Sequence, residues 1–137
     1  MVSTTKTRLL VIDDEPILLE MVETVLGSQH DVVVFSSAVD AFEALRTDKN
    51  FDLILCDLMM NEMNGMDFYQ RLKELDVTLV EKIVFVTGGV CTSAIEKFLE
   101  EISNDRIEKP FGADRLKTMV DQLLIRSDER LQAPAQH

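Results

Sequence analysis

Cysteine is nearly missing from this chain of 137 residues. Cys56 and Cys91 form neither a metal-binding spacing nor a disulfide framework, and Cys56 sits in an apolar run as a small buried hydrophobe would. That usage fits a reducing compartment. Positive charge is short as well: 14 Lys and Arg against 25 Asp and Glu leave a formal net charge of −11, which argues against nucleic acid or an anionic membrane as a direct partner. No hydrophobic run comes near the ~20 residues of a membrane span, and the apolar stretch 9–12 is cut off by acids too soon for a signal peptide. Repeats, low-complexity blocks and a second core are absent too. With 46% hydrophobic and 28% charged residues, the expectation is a cytoplasmic protein with one folded domain.

What is present is an alternation. Short runs rich in Val, Ile, Leu and Phe, at 8–12, 31–35, 51–56, 82–86 and 106–108, read as parallel strands covered on both faces. Between and after them, stretches 16–26, 38–46, 66–75, 92–101 and 113–125 place apolar residues at helical period, for example Phe68, Leu72 and Leu75. The spacing predicts a doubly wound α/β domain over residues 1–126, with 127–137 as a flexible tail.

Such sheets bind ligands beyond the carboxyl ends of their strands. Five residues stand there: Asp13 and Asp14 after the first run, Asp57 after the third, Thr87 after the fourth and Lys109 after the fifth. Each alone has a plain structural alternative. Asp14 could cap a helix whose first turn holds Pro16, Thr87 beside Gly88 could open a turn, and Lys109 could be a surface charge. Their coincidence at one rim is the signal. Neighbouring carboxylates demand a cation, and hard oxygen ligands suit Mg²⁺. A carboxylate beside such a cation can accept a phosphoryl group, whose remaining oxygens a hydroxyl and an ammonium would neutralise.

These motifs, VIDDEP, LILCDLMMNEMNG, FVTGG and EKPFG, in this order across five βα units, resemble the receiver domains of bacterial two-component response regulators over residues 8–126. The resemblance implies a flavodoxin-like five-stranded parallel sheet of order 2-1-3-4-5. It implies that Asp57 accepts phosphate from a histidine kinase or a histidine phosphotransfer protein. Mg²⁺ would be held by Asp14, by Asp13 chiefly through water, by Asp57 and by the backbone carbonyl of Met59. Lys109 would pair with the phosphoryl group, Thr87 would move toward it, and Lys109-Pro110 would be a cis peptide. The chain would be a phosphoacceptor that promotes its own phosphorylation and hydrolysis, not an enzyme acting on others. It would signal through a changed surface to a downstream protein, either as a receiver without an output domain or as one excised from a hybrid histidine kinase.

Several residues depart from that pattern. Arg106 stands where many receivers have an aromatic coupled to the threonine; it is expected to face solvent, meeting Glu108 or a partner. Asn61 replaces a frequent proline. Met59 is apolar where a polar group could orient water, and the same residue disfavours a haloacid dehalogenase-type phosphatase, which would want an acid there. A flavodoxin-like binder would need a phosphate-cradling glycine loop where Asp13-Asp14-Glu15 stands. Ile17 falls at the edge of its helix's apolar stripe, either as core or as part of a docking surface for a histidine-bearing helix.

Overall fold

The structure is a computed structural model and describes residues 6–88 and 92–132. Cys91, and with it half of the cysteine reading, lies outside the described residues. Five strands, β1 (Thr7–Ile12), β2 (His30–Phe35), β3 (Leu53–Asp57), β4 (Ile83–Thr87) and β5 (Arg106–Glu108), form one parallel sheet ordered β2-β1-β3-β4-β5. Helices α1 (Pro16–Leu26), α2 (Ala38–Leu45), α3 (Gly65–Leu75), α4 (Val77–Val80), α5 (Ser93–Glu101) and α6 (Ala113–Gln132) connect and cover it. This is the doubly wound order that the resemblance implied.

Strand β1 shows why both faces must be covered. Its side chains alternate, so Leu10 and Ile12 enter one apolar layer with Ala41, Leu45, Phe68 and Ile95, whereas Leu9 and Val11 enter the other with Val22, Leu26, Leu116 and Val120. Helices α2, α3 and α5 therefore cover one face, and α1 and α6 the other. Tyr69, Phe85 and Phe98 lock the first layer through edge-on contacts, with Phe98 centroids 5.3 Å from Tyr69 and 5.4 Å from Phe85.

Some boundaries differ from the pattern reading, each for a local reason. The run 51–56 begins its strand only at Leu53, because Phe51 turns back, its N–H donating to Lys49 O, and places its ring 4.3 Å beneath the Arg8 guanidinium. The buried stripe of α1 is Leu19, Val22 and Leu26; Leu18, Met21 and Val25 are only half-buried at its margin. Helix α4 has no counterpart in the reading, being a four-residue turn of VTLV started by Asp76, whose side chain accepts from the Thr78 N–H at 3.0 Å. The backbone of α6 stays helical through Gln132, beyond residue 125 where the helical pattern ended. Residues 133–137 lie outside the described residues.

Candidate functional site

Sheet order reverses at β1, whose chain leaves toward β2 on one side and pairs with β3 on the other. A crevice opens there at the carboxyl ends. Asp13 follows β1 directly, and its N–H donates to Phe35 O on the neighbouring strand. Asp57 is the last residue of β3 and pairs in register with Val86; Thr87, the last residue of β4, is one step beyond. The chain after β5 returns to the same rim, where the Lys109 N–H donates to Thr87 O at 2.6 Å. Asp13, Asp57, Thr87 and Lys109, carried by four different strand ends, thus reach one rim because parallel strands all end on one side.

Asp13 is 1% exposed and Asp57 is 5% exposed, unusual burial for carboxylates. The more open Asp14 joins them: a carboxylate oxygen from each of the three lies within 4.8 Å of the others. Lys109 is the cation that answers them. Its Nζ is 2.6 Å from Glu15 Oε1, 3.0 Å from Asp13 Oδ2 and 3.3 Å from Asp57 Oδ2. Backbone donors complete part of the set: the Glu15 N–H reaches Asp13 Oδ1 at 2.9 Å, and the Met59 N–H reaches Asp57 Oδ1 at 3.2 Å.

One oxygen is left over. Asp13 Oδ2 is buried and close to Lys109 but is not aligned for a hydrogen bond, and it finds no other partner among the described residues. A buried anionic oxygen without a hydrogen bond, within reach of two further carboxylates, fits a hard divalent cation such as Mg²⁺.

The electrostatics follow the same geometry. Burial, reinforced by the negative charge of Asp13, pushes the Asp57 carboxyl up to about 6 against the partial relief of Lys109 and the Met59 N–H. Burial likewise raises Asp13, partly offset by the Glu15 N–H and Lys109. For Lys109, partial burial favours the neutral amine, but the carboxylates of Glu15, Asp13 and Asp57 outweigh it and hold the ammonium above the usual lysine range. Behind the site, burial pushes the Cys56 thiol well up, so Cys56 is the inert core residue expected.

The loop leaving Asp57 is shaped by glycine. The Gly65 N–H donates to Leu58 O, and a Cβ on Gly65 would stand 2.9 Å from Asp57 O and 2.9 Å from the Leu58 Cα. Neither backbone atom can move without moving the Asp57 carboxylate. Gly65→Ala is expected to cost about 1–3 kcal/mol in chemical denaturation. Beyond β4, a Cβ on Gly88 would meet Lys109 Cβ at 2.8 Å, so this glycine lets the lysine stem pass.

The remaining expected residues fall as follows. Lys109-Pro110 is a cis peptide. Arg106 faces solvent but makes no ion pair with Glu108 among the described residues; it lines, with Glu108, Glu96, Leu99 and Thr87, a cleft of about 390 Å³ beside the site. The Arg106–Glu108 contact is therefore corrected: both side chains project from the same exposed face of β5 toward water. Ile17 is 81% exposed, which removes the core reading for it. Met59 is exposed at the mouth of the site. Pattern reading missed Glu15, whose partner Lys109 is 94 residues away.

Comparison with known proteins agrees with this geometry. Residues 9–121 match the family model described as the response regulator receiver domain. The DNA-binding response regulator MtrA of Mycolicibacterium smegmatis is 34% identical over 127 residues, covering 92% of this chain and 54% of that protein. The transcriptional regulatory protein NatR of Bacillus subtilis is 34% identical, covering 87% of this chain and 50% of its own length. The chain thus spans about half the length of these curated relatives. Among solved structures, a response regulator receiver domain protein from Clostridium thermocellum superposes with a TM-score of 0.76 at 21% identity, covering 89% of this chain and 97% of that one. The receiver domain of a Pseudomonas aeruginosa sensor histidine kinase, solved with magnesium coordinated in its active-site cleft, superposes with a TM-score of 0.74 at 19% identity, covering 88% and 98%. By sequence and by fold, the chain belongs to the response regulator receiver domains.

Proposed function

We propose that Asp57 accepts a phosphoryl group from a phosphohistidine on a histidine kinase or a histidine phosphotransfer protein. The observation that carries this reading is the buried Asp57 carboxylate, held 3.3 Å from Lys109 and within 4.8 Å of oxygens of Asp13 and Asp14. An Asp57 oxygen forms a bond to phosphorus as the phosphorus–nitrogen bond breaks; the imidazole keeps that electron pair and takes up a proton. Lys109 stabilises charge on the phosphoryl oxygens, and Thr87 supplies a hydroxyl at the adjacent strand end. Asp13, Asp14 and Asp57, with the Met59 carbonyl, would hold Mg²⁺, which when bound offsets negative charge shared by the carboxylates and the phosphoryl group. Residues up to 126 form the receiver unit, the chain acts as phosphoacceptor and promoter of its own dephosphorylation, and its partners are proteins. No helix among the described residues is long and apolar enough to cross a membrane, in keeping with a cytoplasmic site of action.

Incubation with acetyl phosphate and MgCl₂ is expected to add the mass of one phosphoryl group to the intact protein and none to Asp57→Asn. An unmodified wild type, or an equally modified variant, overturns the proposal.

Two residues at the mouth tune it. Met59 lies two residues past the acceptor and gives an attacking water nothing to bond. Met59→Asn is expected to shorten the phosphoprotein's lifetime by about 3–10-fold, less than a full general base would achieve. Ile17 is an exposed apolar side chain one turn from the acidic pair, suited to a helical partner. Ile17→Glu is expected to slow transfer from a phosphohistidine protein by about tenfold while leaving phosphorylation by acetyl phosphate unchanged.

A further inference from the structure

Glu15 occupies the N-cap position of α1 and does not cap it: its side chain makes no hydrogen bond to the helix. Its backbone is nevertheless fixed, by the Asp13 Oδ1 bond to its N–H on one side and by Pro16, which confines it to extended backbone, on the other. From this anchored position the carboxylate reaches across the crevice to Lys109, 94 residues on in sequence. The resulting contact, 2.6 Å, is the shortest of the three that Lys109 makes; the contact to the acceptor Asp57, 3.3 Å, is the longest. Two of the ammonium's three N–H groups already go to Glu15 and Asp57, while Asp13 Oδ2 at 3.0 Å holds it by charge alone, so opening the Glu15 pair would free a second donor for a phosphoryl oxygen. Of the three partners only Glu15 is open to water, its side chain 62% exposed against 7% for Asp57 and 1% for Asp13, so it is the one that yields at least cost.

We propose that Glu15 is a positioning residue that draws the Lys109 ammonium toward the outer rim in the unphosphorylated protein, and that this pair opens when Asp57 is phosphorylated. Glu15 thereby sets how readily the site loads and keeps Lys109 from crowding the place where the carboxylates would hold a cation. The inference rests on the phosphoacceptor reading of Asp57 and assigns Glu15 a role within it. An exposed pair biases a lysine without locking it, so rate effects of about threefold to fivefold are expected, not orders of magnitude.

The test compares Glu15→Gln, which removes the charge, with Glu15→Asp, which keeps the charge but shortens the arm by one methylene. Two quantities are read: the initial rate of phosphorylation by acetyl phosphate at saturating MgCl₂, in which acetate leaves as the Asp57 oxygen bonds to phosphorus, and Mg²⁺ affinity by titration calorimetry without phosphodonor. If Glu15 acts by holding Lys109, both variants load about threefold to fivefold faster and bind Mg²⁺ more weakly. If Glu15 acted only as a negative charge near the site, Glu15→Asp would match wild type in both, and the proposal falls. It falls equally if neither variant differs from wild type. Failure of the wild type to take up phosphate at all would instead overturn the phosphoacceptor reading, with the Mg²⁺ titrations still reporting on Glu15. Thermal melts of both variants should match wild type, because the side chain is exposed and caps nothing.

Discussion

Asp57→Asn is expected to make the metal-free protein more stable at pH 7.5, by about 1–2 kcal/mol, while abolishing its phosphorylation. The reason lies in the cost of burying this carboxylate. Its pKa moves from the usual 3.8 to about 6 on folding, pushed by burial and by Asp13. An acid with a raised folded-state pKa binds its proton more tightly in the native state, so its contribution is fully favourable below about pH 4 and is lost as pH rises to about 6. Above that, the native protein bears the whole penalty, at most about 3 kcal/mol for a shift of this size. Asparagine has no charge to bury and also relieves Asp13, but it loses the ion pair with Lys109, which brings the net gain below that ceiling. Denaturation in chelator across pH 4–8 checks this directly. The stability gap between variant and wild type should open between pH 4 and 6 and stay level above it; a gap independent of pH would show that the acceptor carboxylate is not strained by its surroundings.

Lys109→Met should act in the opposite direction and more strongly. The thioether keeps the length and packing of the stem but leaves the buried carboxylates of Asp13 and Asp57 with no cation from the protein, since no other Lys or Arg pairs with them among the described residues. Removing one partner of a buried ion pair costs about 3–5 kcal/mol in closed interiors; the mouth of this site is open, so a loss of about 2–4 kcal/mol at pH 7.5 in chelator is expected. The loss should shrink as pH falls toward about 6, because Asp57 without Lys109 takes up its proton at a higher pH than in the wild type. It should also shrink on addition of MgCl₂, because a cation bound by these acids replaces the missing charge. Phosphorylation by acetyl phosphate at saturating MgCl₂ should slow by about 10²-fold, the usual effect of removing one preorganised electrostatic contact from a transition state. Full activity in Lys109→Met would show that the ammonium does not meet the transferring phosphoryl group.

Much of this site was legible in the chain because its logic is topological. In a parallel sheet every strand ends on the same side, so an acid, hydroxyl or lysine just past an apolar run must arrive at one rim; Asp13, Asp57, Thr87 and Lys109 did so without any knowledge of side-chain contacts. Local signals worked where one residue decides the outcome, as with Pro16 opening α1. What stayed hidden has physical causes. A four-residue turn such as α4 has no room for a period. Phe51 extended an apolar run because hydrophobicity does not distinguish a strand residue from one stacked beneath an arginine. The close approach at Gly65 depends on how α3 crosses the end of β3, which pattern cannot give. The Glu15–Lys109 pair joins two surface charges from opposite ends of the chain, and any of 25 acids could have been the partner.

The site's asymmetry also bears on how a signal would leave it. Arg106 borders the cleft beside Thr87 and points to water, so a readout that swings an aromatic inward at this position has no residue to use. Changes at Thr87 would instead alter the acidic cleft formed with Glu96, Glu100 and Glu108.

The most direct measurement is chemical identification of the modified side chain. After loading with acetyl phosphate and MgCl₂, borohydride reduces an aspartyl phosphate to homoserine, which peptide sequencing by mass spectrometry can locate. Homoserine at position 57, and at neither 13 nor 14, is the predicted result. Homoserine at Asp13 or Asp14, or phosphate recovered on a hydroxyl such as Thr87, would contradict the assignment of Asp57 as the group that these strand ends are built to serve.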